Sequence, residues 1–334
     1  MKRRLLFALA ALLCLAFAVS PAVAAEPGAD KSGWPAHLRF LTGPKGGQWF
    51  MMGDPIAEVL SKSVVPTTSR MGGGMANIGA LNQKMGELGF SLACFMGAAG
   101  SGEAEYQDIK LDNAAILANV YPQVLYVLVR KDFAEANGIT NLETLLSKKM
   151  PLRFASLRPG TASEFILKLL LKYGYNTNFE QLRDQGWSIE FNNYAETADN
   201  FVAGELDCFA YTAGTEVPLI LTMEKHTGVM VLPLDQNVLD MLSEKFKTST
   251  YVIEPGVYES VKEPVRTLGD WTCILVRKDL PESLVYAACK GLWEGRDYVA
   301  GIIKDFGGLS PKTAVPAGLD VHPGAAAFWK TLQE

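Results

Sequence analysis

Four glycine- and hydroxyl-bearing loops hold the residue types from which a ligand cleft can be built. Leu38 to Leu41 reads as a buried strand. Gly43-Pro44-Lys45-Gly46-Gly47 then turns into a helix that starts Gln48-Trp49-Phe50. Glycines let a backbone come close to a ligand, and the first N–H groups of a helix point outward, suited to a carboxylate or phosphate. Gln48 adds an amide, and Trp49 and Phe50 an apolar wall. A second turn, Gly72-Gly73-Gly74, opens a helix that carries Asn77. Two later loops, Arg158-Pro159-Gly160-Thr161-Ala162-Ser163 and Thr212-Ala213-Gly214-Thr215, bring further hydroxyls to strand-to-helix junctions. With Tyr121, these loops are the makings of a binding cleft. Each also has a plainer use. Glycine turns serve packing in any α/β protein, Lys45 suits a solvated turn, and Trp49, Phe50 and Tyr121 suit a core.

The constellations that catalysis needs are missing. Gly89-Phe90-Ser91-Leu92-Ala93 lacks the last glycine of a nucleophile elbow, and Gly43 to Gly47 lacks the order of a phosphate loop. His37, His226 and His322 show no ligand spacing, so neither a metal nor a cofactor is expected. Glu164 with Arg158 is the one acid–base candidate near the loops. An exported enzyme therefore ranks well below a binding protein. Cys94, Cys208, Cys273 and Cys289 form no CxxC pair and sit in apolar contexts, which favours buried free thiols, although three disulfide pairings stay open.

Composition bounds the rest. The 334 residues are 49% hydrophobic and 20% charged, enough for two domains. Lys2, Arg3 and Arg4, the apolar run Leu5 to Val19 and Ala22-Val23-Ala24 predict a signal peptide over 1–25, cleaved near Ala24 or Ala25. Removing it takes away three basic residues and no acids, which leaves 28 basic against 36 acidic residues, a net of −8. No basic cluster survives to follow a nucleic-acid backbone, and no second long apolar run would embed the mature chain in a membrane. The expected product is an exported protein, with residues 26–37 as a disordered leader.

Between these loops the chain alternates strand and helix, the rhythm of a doubly wound parallel sheet whose ligands bind beyond the strand carboxyl ends. Ala114–Ala118 and Val124–Asp132 read as two strands, and a break is expected in the first helix at Pro55, with Asp54 as a cap. Val129-Arg130-Lys131-Asp132 recurs as Val276-Arg277-Lys278-Asp279, 147 positions later. The echo suggests two crossing strands that leave one domain and return to it. The expected architecture is two doubly wound α/β domains joined by crossing hinge strands. Domain I would comprise 38–130 and 272–334, and domain II 131–271.

Six motifs in order resemble a known family, the extracytoplasmic solute receptors of TRAP transporters, in their TAXI subgroup. They are Gly43-Pro44-Lys45-Gly46-Gly47-Gln48-Trp49-Phe50-Met51-Met52-Gly53, Gly73-Gly74-Met75-Ala76-Asn77, Pro159-Gly160-Thr161, Ala213-Gly214-Thr215-Glu216-Val217-Pro218, Glu254-Pro255-Gly256-Val257-Tyr258 and His322-Pro323-Gly324-Ala325. The resemblance covers nearly all of 38–330. It implies a type II periplasmic binding fold that captures a small organic anion, an amino acid or carboxylate, and hands it to TRAP membrane subunits. A membrane sensor is the alternative recipient. The implied contacts are Gly46, Gly47, Gln48, Trp49, Phe50, Gly74, Asn77, Tyr121, Arg158, Gly160, Thr161, Ala162, Ser163, Thr212 and Gly214. Pro159 stands where the family has Ser, and Trp49-Phe50 where it often has Tyr-Tyr. Fewer hydroxyls imply a ligand with a larger apolar part, or a receptor that has drifted.

Overall fold

The computed structural model describes residues 31–43, 45, 47–101 and 113–333. The predicted signal peptide, the first part of the expected leader and Gly46 lie outside the described residues. Within that leader, Trp34 donates its indole N–H to Ser283 Oγ at 2.9 Å.

In chain order the elements begin β1 (Leu38–Leu41), α1 (Gln48–Ser63), β2 (Thr67–Arg70), α2 (Gly74–Asn82), β3 (Leu88–Leu92) and α3 (Ala93–Ser101). The long strand β4 (Ala114–Arg130) leads to α4 (Lys131–Asn137), α5 (Leu142–Ser147), β5 (Leu152–Leu157) and α6 (Ala162–Leu169), which ends in a π turn. Then come α7 (Phe179–Asp184), β6 (Trp187–Asn192), α8 (Tyr194–Val202), β7 (Cys208–Ala213), α9 (Pro218–His226) and β8 (Val229–Val231). The chain closes with α10 (Gln236–Phe246), β9 (Ser249–Ile253), β10 (Val265–Arg277), α11 (Glu282–Glu294), α12 (Arg296–Ile302), a 3-10 turn (Lys304–Gly308) and α13 (Pro323–Thr331). None of the described helices is long and apolar enough to cross a membrane.

The ten strands among the described residues form one sheet in the order β2-β1-β3-β10-β4-β7-β5-β6, with β8 added to β4 and β9 to β10. Parallel triplets at the two ends flank an antiparallel centre made by β4 and β10. Strand alternation sends neighbouring residues to opposite faces. Cys208 and Ala210 of β7 therefore join one core while Phe209 and Tyr211 join another. On one face the core runs unbroken across both ends, from Ile78 and Phe95 through Phe165 to Phe246. On the other face it is split into a cluster under α1, α11 and α13 and a cluster under α8 and α9.

Both expected breaks are absent. Helix α1 runs through Pro55, and Asp54 accepts from Ser69 Oγ where a helix cap was expected. Burial of Met52, Ile56, Val59 and Leu60 outweighs the single backbone hydrogen bond that proline forfeits. Likewise β4 is one 17-residue strand that includes Pro122, and its pairing with β10 shifts register close by, between Thr272 and Cys273, and again between Ile274 and Leu275, opposite Ala118 and Ile116. The loop from Thr212 does not open a helix at once; α9 starts at Pro218.

The two ends of the sheet carry matching arginine clips. Arg39 on β1 donates its N–H and Nε to Glu87 Oε2 at 2.8 and 2.9 Å. Arg153 on β5 does the same to Asp207 Oδ2, at 2.9 and 3.0 Å. The two Val-Arg-Lys-Asp copies form matching clips, Arg130 Nε to Asp132 at 3.1 Å and Arg277 Nε to Asp279 at 2.8 Å.

The continuous face depends on a close approach of α3 to α10. A Cβ on Gly97 would overlap the carbonyl oxygen of Phe246. Gly97→Ala is expected to cost about 1–3 kcal/mol in a urea titration, because backbone atoms must move apart. A loss below about 0.5 kcal/mol would contradict this packing.

Candidate functional site

The C-terminal ends of β1 and β2 and of β5 and β7 lead into the loops singled out by sequence. Gly47 is the N-cap of α1 and offers no side chain, so the first N–H groups of α1 are left without side-chain capping. Gln48 bridges two elements. Its Nε2 donates to Asp305 Oδ2 in the 3-10 turn, and its Oε1 accepts from Tyr121 Oη at 3.2 Å. Trp49 stacks on Phe90 with centroids 5.5 Å apart and donates Nε1 to Thr272 Oγ1 at 3.3 Å. Thr272 Oγ1 also accepts from Gln123 Nε2 at 3.1 Å. Tyr121 also lies against Thr272, Trp49 and Gln123, so these four residues and Gln48 form one polar cluster where the start of α1 meets the crossing strands β4 and β10. Burial raises the Tyr121 phenol far above its ordinary pKa, so this hydroxyl acts only as a neutral donor and acceptor.

Asn77 is occupied by the protein itself. Its Nδ2 donates to the carbonyls of Thr42 at 2.9 Å and Phe90 at 2.8 Å, and its Oδ1 accepts from Gly73 N at 3.0 Å. Both amide hydrogens are used and the side chain is buried, so Asn77 holds the second glycine turn against β1 and β3 and has no N–H to spare for a ligand. Gly74 is required for packing, since a Cβ there would lie 2.5 Å from the Phe95 ring. Phe50 is exposed.

At the other end of the sheet, Gly160 takes φ +85°, and Thr161 caps α6 by accepting from Glu164 N at 3.3 Å. Ala162 starts that helix, half-buried. Ser163 Oγ lies 3.1 Å from Thr212 Oγ1 and accepts from Thr212 N at 2.9 Å. Tyr194 Oη donates to Thr212 O at 3.0 Å. Tyr126 Oη donates to Gly214 O at 2.9 Å, and Tyr258 Oη accepts from Val217 N at 2.9 Å, which fixes the 214–217 loop from below. Glu164 accepts from Gly160 N and pairs with Lys168 at 2.5 Å. Arg158 is exposed and makes no ion pair among the described residues, so Glu164 and Arg158 do not form an acid–base couple.

The two ends meet. Phe95 on α3 packs edge-on against Phe165 on α6, with centroids 4.4 Å apart. A Cβ on Gly214 would lie 2.7 Å from the Asp305 carboxylate, so Asp305 touches Gln48 on one side and the 214 loop on the other. Gln123, Thr272, Asp305, Phe95, Phe165 and Tyr194 were not singled out from the sequence. Gln123 was within reach, since it lies two residues from Tyr121 on a strand and shares its face. Thr272 and Asp305 had no local signal.

Two solved structures share this architecture. MatC from Rhodopseudomonas palustris, with bound malate, aligns over 90% of this chain and 100% of its own, at 14% identity and a TM-score of 0.51. A TctC solute-binding protein from Polaromonas, without ligand, aligns over 90% and 99%, also at 14% identity and a TM-score of 0.51. The shared fold is the mixed α/β fold of two-domain binding proteins. The NMT1-like family model matches residues 40–331, nearly the whole described chain. The chain belongs to the NMT1-like family.

Proposed function

We propose that this protein is a periplasmic receptor of the TAXI type that captures a small organic anion, an amino acid or carboxylate, and delivers it to a TRAP-type permease. The observation that carries the reading is the contact of Asp305 with both Gln48 and the 214 loop, which gathers loops from both ends of the sheet around one polar network on the crossing strands. The uncapped N–H groups of α1 suit a carboxylate, Gln48, Ser163 and Thr212 supply hydrogen bonds, and Trp49 and Phe95 an apolar wall. Asn77 acts as a positioning residue for the second glycine turn. The domains divide as 38–130 with 272–334 against 131–271, at the crossing strands. The malate held by MatC fits the same chemical class of solute.

A thermal-shift screen of amino acids and mono- and dicarboxylates tests this. A solute at one hundred times its Kd adds about 2.7 kcal/mol, a rise of roughly 5 °C in Tm. Trp49→Ala is expected to weaken that solute at least about tenfold, or about 1.4 kcal/mol. A screen in which no organic anion moves Tm would overturn the reading. Tight binding of glutamate with indifference to bulkier acids would overturn the larger apolar part that Trp49-Phe50 implies.

A further inference from the structure

The two faces of the sheet join its ends in different ways. One face carries a single core that runs through α2, α3, α6 and α10, and there Gly97 lets α3 touch the backbone of α10. On the opposite face two separate cores confront each other. The gap between them is bridged from the 3-10 turn. Lys304 Nζ pairs with Glu216 at 2.9 Å, and Asp305, held by Gln48, abuts Gly214.

We propose that the 3-10 turn at Lys304–Gly308 is a latch, and that the cleft opens on the split face while the continuous face stays closed as the hinge side. A continuous apolar core resists separation, because parting it would expose buried rings such as Phe95 and Phe165 to water. The latch has the opposite character. Its ion pair is exposed, with 85% and 70% of the two side chains accessible, so it forms and breaks at little cost. Its second contact is steric: a Cβ at residue 214 would press on the Asp305 carboxylate that Gln48 holds. Weak, polar and small contacts on one side and a shared core on the other define a one-sided hinge motion.

Double electron–electron resonance on the whole mature protein tests this without any solute, so the result stands apart from the capture reading. The four native thiols are buried and leave introduced cysteines as the labelling sites. One pair, Tyr298→Cys with Leu221→Cys, spans the split face, and a second, Met85→Cys with Glu244→Cys, spans the continuous face. Lys304→Glu is expected to raise the long-distance population of the first pair about fivefold, and the swap Lys304→Glu with Glu216→Lys to restore it. Gly214→Ala should lengthen the first distance in the same way. The second distance should hold in every variant. The proposal is overturned if the first distribution is unchanged by Lys304→Glu, if the swap fails to restore it, or if the second pair moves as far as the first. The charge variants lie on the exposed surface, so the test survives a Gly214→Ala protein that does not fold.

Discussion

Replacing Glu87 by glutamine is expected to cost about 3–5 kcal/mol of stability, read as a lowered midpoint in urea. Glu87 is nearly fully buried, and its two oxygens take the N–H, Nε and Nη2 of Arg39 together with Nη1 of Arg277 at 3.0 Å. One carboxylate therefore ties β1, the start of β3 and the end of β10. Glutamine keeps the shape but leaves the Arg39 guanidinium without its counter-charge and takes one of two carboxylates from the largely buried Arg277, which keeps Asp279. Burial alone would push this carboxyl up. The hydrogen bonds and charge of Arg39, with the charge of Arg277, outweigh burial and hold it below the ordinary value. A depressed carboxylate contributes stability that is present above the unfolded-state pKa of about 4.3 and is lost as pH falls through the folded value. The wild type should thus lose part of its stability on acidification, and Glu87→Gln should flatten that limb. Asp207→Asn is the control at the mirrored clip. Arg153 is half exposed there and, among the described residues, no second arginine hydrogen-bonds to Asp207, so a loss of about 2 kcal/mol or less is expected. Equal losses at the two sites would mean that Arg277 adds nothing.

These clips also show which parts of the fold are legible in the sequence. Leu38-Arg39-Phe40 and Leu152-Arg153-Phe154 are the same strand opening, and the repeated Val-Arg-Lys-Asp marks the ends of the two strands that cross the centre. Such signals are local, because each reports which backbone conformation its own side chains favour. The break expected at Pro55 failed for the same reason. Pro55 and Pro122 break a local rule, and only the buried neighbours of α1 and the irregular pairing of β4 with β10 let the elements continue. Asn77 belongs to a third kind. Its place after a glycine turn fits a ligand contact or a structural clamp equally well, and three backbone partners brought in by tertiary packing decide for the clamp. Asp305 was invisible because its neighbours, Gln48 and Gly214, lie 257 and 91 positions away in sequence.

Asp270→Asn is expected to act with the opposite sign. Asp270 lies on β10, fully buried at the start of α3, where it accepts from Cys94 N at 3.1 Å and Trp271 N at 2.8 Å. Its other neighbours are the Cys94 and Cys273 thiols and Gln123, its partner across β4. None of these is a cation. Burial therefore prevails over the hydrogen bonds from Cys94 and Trp271 and pushes the carboxyl up to about 7. A carboxyl raised above its unfolded value binds its proton more tightly in the folded chain. It contributes stability in full below about pH 4, and that contribution is lost as pH rises toward 7. Three pKa units correspond to about 4 kcal/mol, an upper bound on what ionised Asp270 costs the fold at pH 8. Asparagine keeps an oxygen for the two N–H donors and removes the charge. Asp270→Asn should therefore raise the urea midpoint at pH 8 by an amount equivalent to about 2–4 kcal/mol and leave it nearly unchanged at pH 4. A variant less stable than wild type at pH 8 would mean that Asp270 is anchored by more than the two N–H groups. A carboxylate that costs stability persists only where something offsets it. Asp270 sits where a crossing strand meets the N-terminus of α3, the helix that joins both ends of the sheet on the continuous face, so the cost falls on the pivot on which the proposed opening would turn.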